Sequence, residues 1–170
     1  TFTATRTRSA TEGRMRIALD ADERILGRDV EMAVDIGTYC TGGAYLPGSM
    51  LQHRVRHHDV PAERYRGQAV YTNTLPTGAF RGYASPQIHA LGEIALDLAA
   101  RDAGFDPVAL RLRNIVGPGA VAHWQGPNLG NARRADCLRR GAKAFDWTPR
   151  VKLAAGTGRF RRGVGMAAAT

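Results

Sequence analysis

One stretch of this 170-residue chain predicts its local structure more clearly than any other, and it runs from Ser85 to Gly104. Ser85 is a favourable N-cap, and Pro86 at the first helical position gives up no useful N–H group. Gly104 is a typical helix stop, because glycine readily adopts a left-handed conformation. Apolar residues at three- and four-residue spacing predict one buried face on this long helix: Ile88, Leu91, Ala95, Leu98 and Ala99.

Alternating patterns before this helix predict strands. Residues 14–19 and 25–39 alternate apolar and charged side chains around a turn at 20–23, which predicts a hairpin. Further strands are predicted at residues 3–8 and 67–73, with a last one entered after residue 156. Shorter helices are predicted at 49–59, at 107–114 with Asp106 and Pro107 as its cap, and at 134–145 with Leu138 and Phe145 inward. Strands followed by grouped helices predict an α+β fold, with a twisted antiparallel sheet packed by the long helix.

The composition is that of a globular chain with an excess of positive charge. Apolar residues make up 44% of the sequence, enough for a core, and the net charge is +9. The arginine clusters are dispersed, without interleaved aromatic residues or a helix-turn-helix or zinc-finger frame. Nucleic-acid binding is therefore a weak alternative, because an anionic small-molecule site or an acidic partner explains the charge equally well. No apolar run approaches the roughly 20 residues that span a bilayer, so no membrane association is expected.

Cysteine and histidine residues give no complete metal site in the sequence. Cys40 and Cys137 lie far apart without a CxxC pattern, and are expected to be partly buried free thiols in a reducing cytoplasm. His53 and His57 have the i, i+4 spacing of ligands on a helix, but no acidic residue or cysteine follows at ligand spacing. A solvated basic helix face is the favoured interpretation, and His89, beside the apolar stripe, is expected to be structural.

The segment VYTNTLPTGAFRGYASPQ, residues 70–87, is the most informative for function. Two glycines bracket an arginine and two aromatic residues directly before the start of the long helix. This arrangement can present N–H groups and one cation to an anion, or an aromatic face to a flat substrate. A tight strand-to-helix connection whose aromatic residues fill the core remains an alternative.

The same segment resembles a motif of the xanthine dehydrogenase/aldehyde oxidase (molybdenum hydroxylase) family, TN-x-P-x-x-A-[FMY]-R-G-[FA]-G-x-P-[QE]. The flanks resemble the family too: DIGTYCTGGAY is similar to its D-x-G-A-Y loop, FDPVALRLRNIV to its D-P-x-E-[LV]-R-x-x-N helix, and RADCLRRGAKAFDW and RRGVGMAAA to a later helix and strand. Two positions depart from the pattern. Tyr83 replaces the usual phenylalanine, and Ala84 replaces a glycine, which would strain the backbone if a positive φ is needed there.

The resemblance implies a molybdopterin-binding large subunit and a set of site residues. Arg81 is expected in the molybdenum pocket without ligating the metal, Phe80 and Ala79 along the same wall of the cofactor site, and Tyr83 over the substrate. The implied reaction hydroxylates an aldehyde, a purine or another N-heterocycle with oxygen from water. Electrons then leave through iron–sulfur clusters and FAD on partner chains or domains. The family's catalytic glutamate is expected outside this chain, so no catalytic residue is assigned within it.

The resemblance covers residues 1–170 as one segment of the molybdopterin-binding domain. We expect a first part to about residue 116, a linker loop at 117–133, and the start of a truncated second part at 134–170. The implied partners are the remaining portions of the large subunit, an iron–sulfur subunit and an FAD subunit. We expect a cytoplasmic enzyme whose isolated segment is inactive; a non-catalytic fragment without cofactor remains the alternative, and the substrate stays open.

Overall fold

The computed structural model of the chain describes residues 6–54, 57–120, 130–153, 159–160 and 162–169. The elements in chain order are β1 (Thr11–Leu19), β2 (Ile25–Gly37), α1 (Leu46–Arg54), β3 (Ala62–Tyr71), α2 (Ser85–Ala103), α3 (Pro107–Asn114), α4 (Arg134–Phe145) and α5 (Trp147–Leu153). A single 3-10 turn, Gly43–Tyr45, precedes α1. The early strands and later helices confirm the α+β class. Among these described residues, no helix has the length and apolarity needed to cross a membrane.

The three strands form one sheet in the order β1-β2-β3, and it is mixed. β1 and β2 pair antiparallel around the predicted turn, so the hairpin is confirmed. The prediction of a wholly antiparallel sheet is wrong for β3, which pairs parallel to β2. The reason lies in the connection, since a parallel pair needs a crossover, and the chain between β2 and β3 carries α1.

Complementary charges line the shared register of β2 and β3. Arg28 faces Glu63 with an N–O distance of 2.5 Å, and Asp29 faces Arg64 at 2.5 Å. Arg66 likewise pairs with Glu31. Opposite charges directly across a sheet are favourable, so this sequence pattern favours the observed register. Three of the arginines are thus paired with carboxylates across the two strands.

The core lies between the sheet and the long helix. The inward face of β2 is buried along its whole length, including Val30, Met32 and Val34, as its alternation predicts. These three pack with α1 and with Ile88 of α2 in one hydrophobic cluster. A second cluster joins the start of β2 to the far end of α2 and to α3 through Ile25, Val60, Leu96, Ala100 and Leu110.

The buried face of α2 differs from the predicted one. The buried residues are Ile88, His89, Glu93, Leu96 and Ala100. Leu98, expected to be inward, is 43% exposed, and Leu91 is only half-buried. His89 and Glu93 lie on the buried face and interrupt its apolar pattern, which explains why the sequence pattern predicted a different buried face. Ser85 is the first helical residue rather than the N-cap, whereas the stop at Gly104 is confirmed.

Shortening Ile88 to valine is expected to lower the free energy of unfolding by about 1 kcal/mol, because the lost methylene was fully buried. Ile94→Val is the matched control on the same helix, where the side chain is 60% exposed, and should leave stability unchanged. Urea denaturation of both variants measures the difference. Equal effects of the two substitutions would contradict the assignment of the buried face.

Several shorter elements were predicted closely, and others were not. The helix at 107–114 is confirmed, and its predicted cap Asp106 accepts hydrogen bonds from the N–H groups of Val108 and Ala109. α4 has the predicted bounds, but Leu138 is half-buried and Phe145 is 41% exposed. Residues 162–169 form no strand. Parts of the predicted strand at 3–8 and of the loop at 117–133 lie outside the described residues.

Candidate functional site

The base of the connection between β3 and α2 is tied to the end of β2 through Thr77. The hydroxyl of this buried residue donates to the carbonyl oxygen of Asp35 at 2.8 Å and accepts from Ser9 at 2.7 Å. Its own carbonyl oxygen accepts from the Thr41 hydroxyl at 2.9 Å. The connection is therefore anchored at Thr77 to β2 and to the glycine-rich segment 37–48, and this anchor positions the rest of the connection up to α2.

The first half of the motif at residues 70–87 has a structural role, because Thr72 and Thr74 form hydrogen bonds with the Asp35 carboxylate. The hydroxyl of Thr72 donates to one carboxylate oxygen of Asp35 at 2.6 Å, and that of Thr74 to the other at 2.9 Å. The N–H of Gly37 donates to the same carboxylate at 2.7 Å. Desolvation raises the pKa of Asp35, but these three hydrogen bonds outweigh it and hold the pKa below its usual value.

The tip of the connection, Ala79, Phe80 and Arg81, is exposed. Phe80 has 47% of its surface exposed, and the guanidinium of Arg8 lies 4.6 Å from the centre of its ring. Arg8 also donates to the carbonyl oxygen of Arg81 at 2.7 Å. Arg8 thus holds the backbone of the tip through this hydrogen bond. Among the described residues, none forms a hydrogen bond or ion pair with the Arg81 guanidinium.

Three successive residues with positive φ connect the tip to α2. The φ angles are 90° at Gly82, 21° at Tyr83 and 72° at Ala84. Gly82 is required, because a Cβ there would lie 2.8 Å from the ring of Pro86. Ala84 adopts the positive φ that glycine would take more easily, so the anticipated strain at this position is present. In residues other than glycine such conformations cost roughly 1–3 kcal/mol each, and they concentrate at functional sites.

Tyr83 joins the tip to the hydrophobic core and to the neighbouring loop. Its ring is half-buried and packs against the cluster around Val34, while its hydroxyl donates to the carbonyl oxygen of Gly42 at 2.9 Å. The hydroxyl that distinguishes this residue from the family's phenylalanine is therefore satisfied. Tyr83 also links the motif to the glycine-rich segment 37–48, a connection that the sequence pattern alone does not indicate.

The glycine-rich segment carries one of the two cysteines. Cys40 and Cys137 are both exposed, so the expectation of partly buried thiols is wrong. The N–H groups of Gly42 and Ala44 lower the pKa of the Cys40 thiol, because they stabilise its thiolate. Exposure follows from the loop positions and helix surface that these residues occupy.

A buried histidine pair lies apart from this loop, and the sequence pattern did not predict it. Helix α1 ends at Arg54, and residues 57–59 instead pair with 114–116, through an isolated bridge between His58 and Ile115. His57 and His58 are therefore buried rather than part of a solvated helix face. His89 is also buried, with its ring centre 5.4 Å from that of His57.

The surroundings keep both histidines uncharged. Burial lowers the pKa of His57 to about 4, and the charges of His89, Arg134, Arg111 and Arg28 act in the same direction. Burial likewise holds the pKa of His58 well below its usual value. Both nitrogens of His57 and Nε2 of His58 are buried without a hydrogen-bond partner in the described part of the chain. Glu93 of α2 completes a group whose ligand atoms lie within 4.8 Å of one another.

The strained turn that carries Arg81 lies within the motif at residues 70–87, between β3 and α2. The family model of the molybdopterin cofactor-binding domain matches residues 1–115. The chain therefore belongs to the xanthine dehydrogenase/aldehyde oxidase family of molybdenum hydroxylases.

Individual relatives support the same assignment. The xanthine dehydrogenase molybdenum-binding subunit of Escherichia coli O157:H7 is 32% identical over 167 residues, which are 98% of this chain and 22% of the relative. Among solved structures, the aldehyde oxidoreductase of Desulfovibrio gigas superposes with a TM-score of 0.78 at 28% identity, covering 91% of this chain and 17% of that one. Quinoline 2-oxidoreductase from Pseudomonas putida 86 shares the fold, with a TM-score of 0.77 at 22% identity. The chain spans about a fifth of these relatives' length.

Proposed function

We propose that this chain forms one wall of the active site in the large subunit of a molybdenum hydroxylase. The observation that carries the proposal is the exposed Arg81 guanidinium, which has no partner among the described residues and lies on a strained turn whose backbone accepts a hydrogen bond from Arg8. An unpaired cation on a rigid turn suits an anionic cofactor, and the bound molybdenum-pterin would supply the redox chemistry. The residues present thus fit that group.

Each residue of the tip has a distinct proposed role. Arg81 provides positive charge in the molybdenum pocket without ligating the metal. Phe80 and Ala79, exposed beside it, line the same wall and exclude water from the cofactor. Tyr83 presents one face of its ring to a flat substrate while its hydroxyl stays bound to Gly42. Positioning and electrostatics of this kind are what a protein contributes to a cofactor reaction.

The reaction that we propose for the assembled enzyme is hydroxylation of an aldehyde, a purine or another N-heterocycle with oxygen from water. Support comes from the names of relatives, among them the aldehyde oxidoreductase of Megalodesulfovibrio gigas and the nicotinate dehydrogenase large subunit of Eubacterium barkeri. Among the proposed substrates, the aromatic face of Tyr83 suits the purines and other N-heterocycles. Electrons would pass to iron–sulfur and FAD partners.

The assembled state is part of the proposal, because the chain spans only about a fifth of the length of its relatives from E. coli and D. gigas. Other portions of the large subunit would complete the cofactor site and supply the general base. We propose that the 170 residues alone are inactive and that the complete enzyme is cytoplasmic. Within the chain, residues 1–116 would form one part of the cofactor-binding domain, with 117–133 as a linker and 134–170 as the start of the next part.

Tyr83 offers a test of this assignment in the assembled enzyme. Tyr83→Ala removes the ring, and we expect KM for an aromatic substrate to rise about tenfold, because aromatic contacts contribute roughly 0.5–1.5 kcal/mol beyond burial. Tyr83→Phe keeps the ring and loses one hydrogen bond, so it should be milder. Steady-state kinetics with a heteroaromatic and a small aliphatic substrate separate the roles, since the aliphatic one lacks a ring. A Phe variant more impaired than the Ala variant would refute the substrate-binding role.

A further inference from the structure

His57, His58 and Glu93 form a buried group with the composition of a zinc site. Their candidate ligand atoms lie within 4.8 Å of one another, and each residue is at least nine-tenths buried. Two imidazoles and one carboxylate are a common ligand set for zinc, with a fourth position open to water. Ligands on a tetrahedral zinc lie about 3.4 Å apart, so binding would draw the three side chains together by a modest amount.

The state of the histidine nitrogens points to a ligand. Both ring nitrogens of His57, and Nε2 of His58, are buried without a hydrogen-bond partner in the part of the chain that the structure describes. A buried polar atom without a partner loses its hydration and gains nothing, so proteins rarely leave one in this state. Metal coordination would use the lone pair of an uncharged imidazole and remove that cost.

Three arginines lie near the group, Arg111, Arg28 and Arg134, and the first two are paired with carboxylates. Arg111 lies next to Glu93 at 2.8 Å, but it also contacts Asp97 at 2.7 Å, so the two carboxylates and one guanidinium carry a net negative charge. Arg28, a second nearby cation, pairs with Glu63. The hydrogen bonds that Glu93 accepts from Arg111 and from the N–H of Ala168 occupy two of its roughly four lone-pair positions, leaving others for a metal.

Access to the group is provided by a cavity of about 680 Å³ between α3, α4 and residues 165–169, which is lined in part by His57. Cys137 of α4 lines the same cavity. We propose that His57, His58 and Glu93 bind one zinc ion that enters through this cavity. The site lies on elements other than the cofactor-binding turn, and its role is to hold the segment at residues 57–59 against α2.

The test uses the full chain after removal of metals with a chelator. Zinc binding is measured by calorimetry, and cobalt binding by visible absorption, because tetrahedral cobalt gives intense ligand-field bands. We expect one saturable site. His57→Phe keeps the volume and removes no hydrogen bond, so it should stay folded by circular dichroism while losing at least about a hundredfold in affinity, more than loss of an outer partner causes. His53→Gln and Cys137→Ser are controls and should bind as the unmodified chain does.

Three results would overturn the proposal: no saturable zinc binding by the unmodified chain, unchanged affinity in His57→Phe, or loss of binding in either control. Should His57→Phe fail to fold, the cobalt spectrum of the unmodified chain decides instead. A histidine and carboxylate site gives no sulfur-to-cobalt charge-transfer band, whereas such a band would place a cysteine in the site and reject the proposed ligands.

Discussion

Arg81→Ala in the assembled enzyme is expected to lower kcat by about a hundred- to a thousandfold. Removal of one preorganised donor directed at developing negative charge has an effect of this size in other enzymes. Arg81→Lys should recover only part of the loss, because lysine keeps the charge but lacks the planar guanidinium with its fixed donors. Steady-state kinetics, together with the molybdenum content of each variant, distinguish slower turnover from loss of cofactor.

Arg81→Ala should leave the stability of the fold nearly unchanged. The Arg81 side chain is exposed, and only its backbone oxygen is held by Arg8, so stability should change by less than about 0.5 kcal/mol. Arg14→Ala provides a control at another exposed arginine, on β1, and should affect neither rate nor stability. An Arg81→Ala enzyme with full cofactor and an undiminished rate would show that the motif has no electrostatic role.

Arg111→Met is expected to have the largest effect on folding, a loss of about 3–5 kcal/mol in the free energy of unfolding. The Arg111 guanidinium is fully buried and contacts the carboxylates of Glu93 and Asp97, and it also donates to the carbonyl oxygens of Glu93 and Pro107. Methionine fills a similar volume but leaves the buried Glu93 carboxylate without its cation. That uncompensated charge, rather than lost packing, is the source of the effect.

Arg113→Met is the matched control, because Arg113 lies two residues further along α3 with an exposed side chain. Urea denaturation in the presence of a chelator compares both variants with the unmodified chain and keeps metal binding out of the comparison. A cost below about 1 kcal/mol for Arg111→Met would mean that Glu93 finds another partner or takes up a proton on folding.

The predictable parts of the fold are those set by residues close in sequence. The hairpin of β1 and β2, the stop of α2 at Gly104 and the Asp106 cap of α3 all follow from local patterns, and the structure confirms them. The direction of β3 depends on where the crossover through α1 returns the chain, which no local pattern encodes. The buried face of α2 was misread for a related reason, since Glu93 is buried only because Arg111, eighteen residues later, neutralises it.

For the candidate site, the sequence predicts the turn but not the contacts from other segments that hold it in place. The motif placed Arg81 and Tyr83 together, and the unusual Ala84 correctly indicated possible strain. The contacts from Arg8 and Gly42 come from distant segments and could not be derived from the motif. The group of His57, His58 and Glu93 was missed because its members come from an extended segment and from α2, so no regular spacing connects them.

The outer strand β3 has a consequence for handling the chain in isolation. It is a sheet edge in the described part of the chain, and an open edge can template pairing with another molecule. Arginines protect its first half, where Arg64 and Arg66 project from the edge strand. The second half ends in exposed Val70 and Tyr71 without a charge. Self-association at high concentration should therefore begin at that end, and Val70→Lys should oppose it while leaving the core intact.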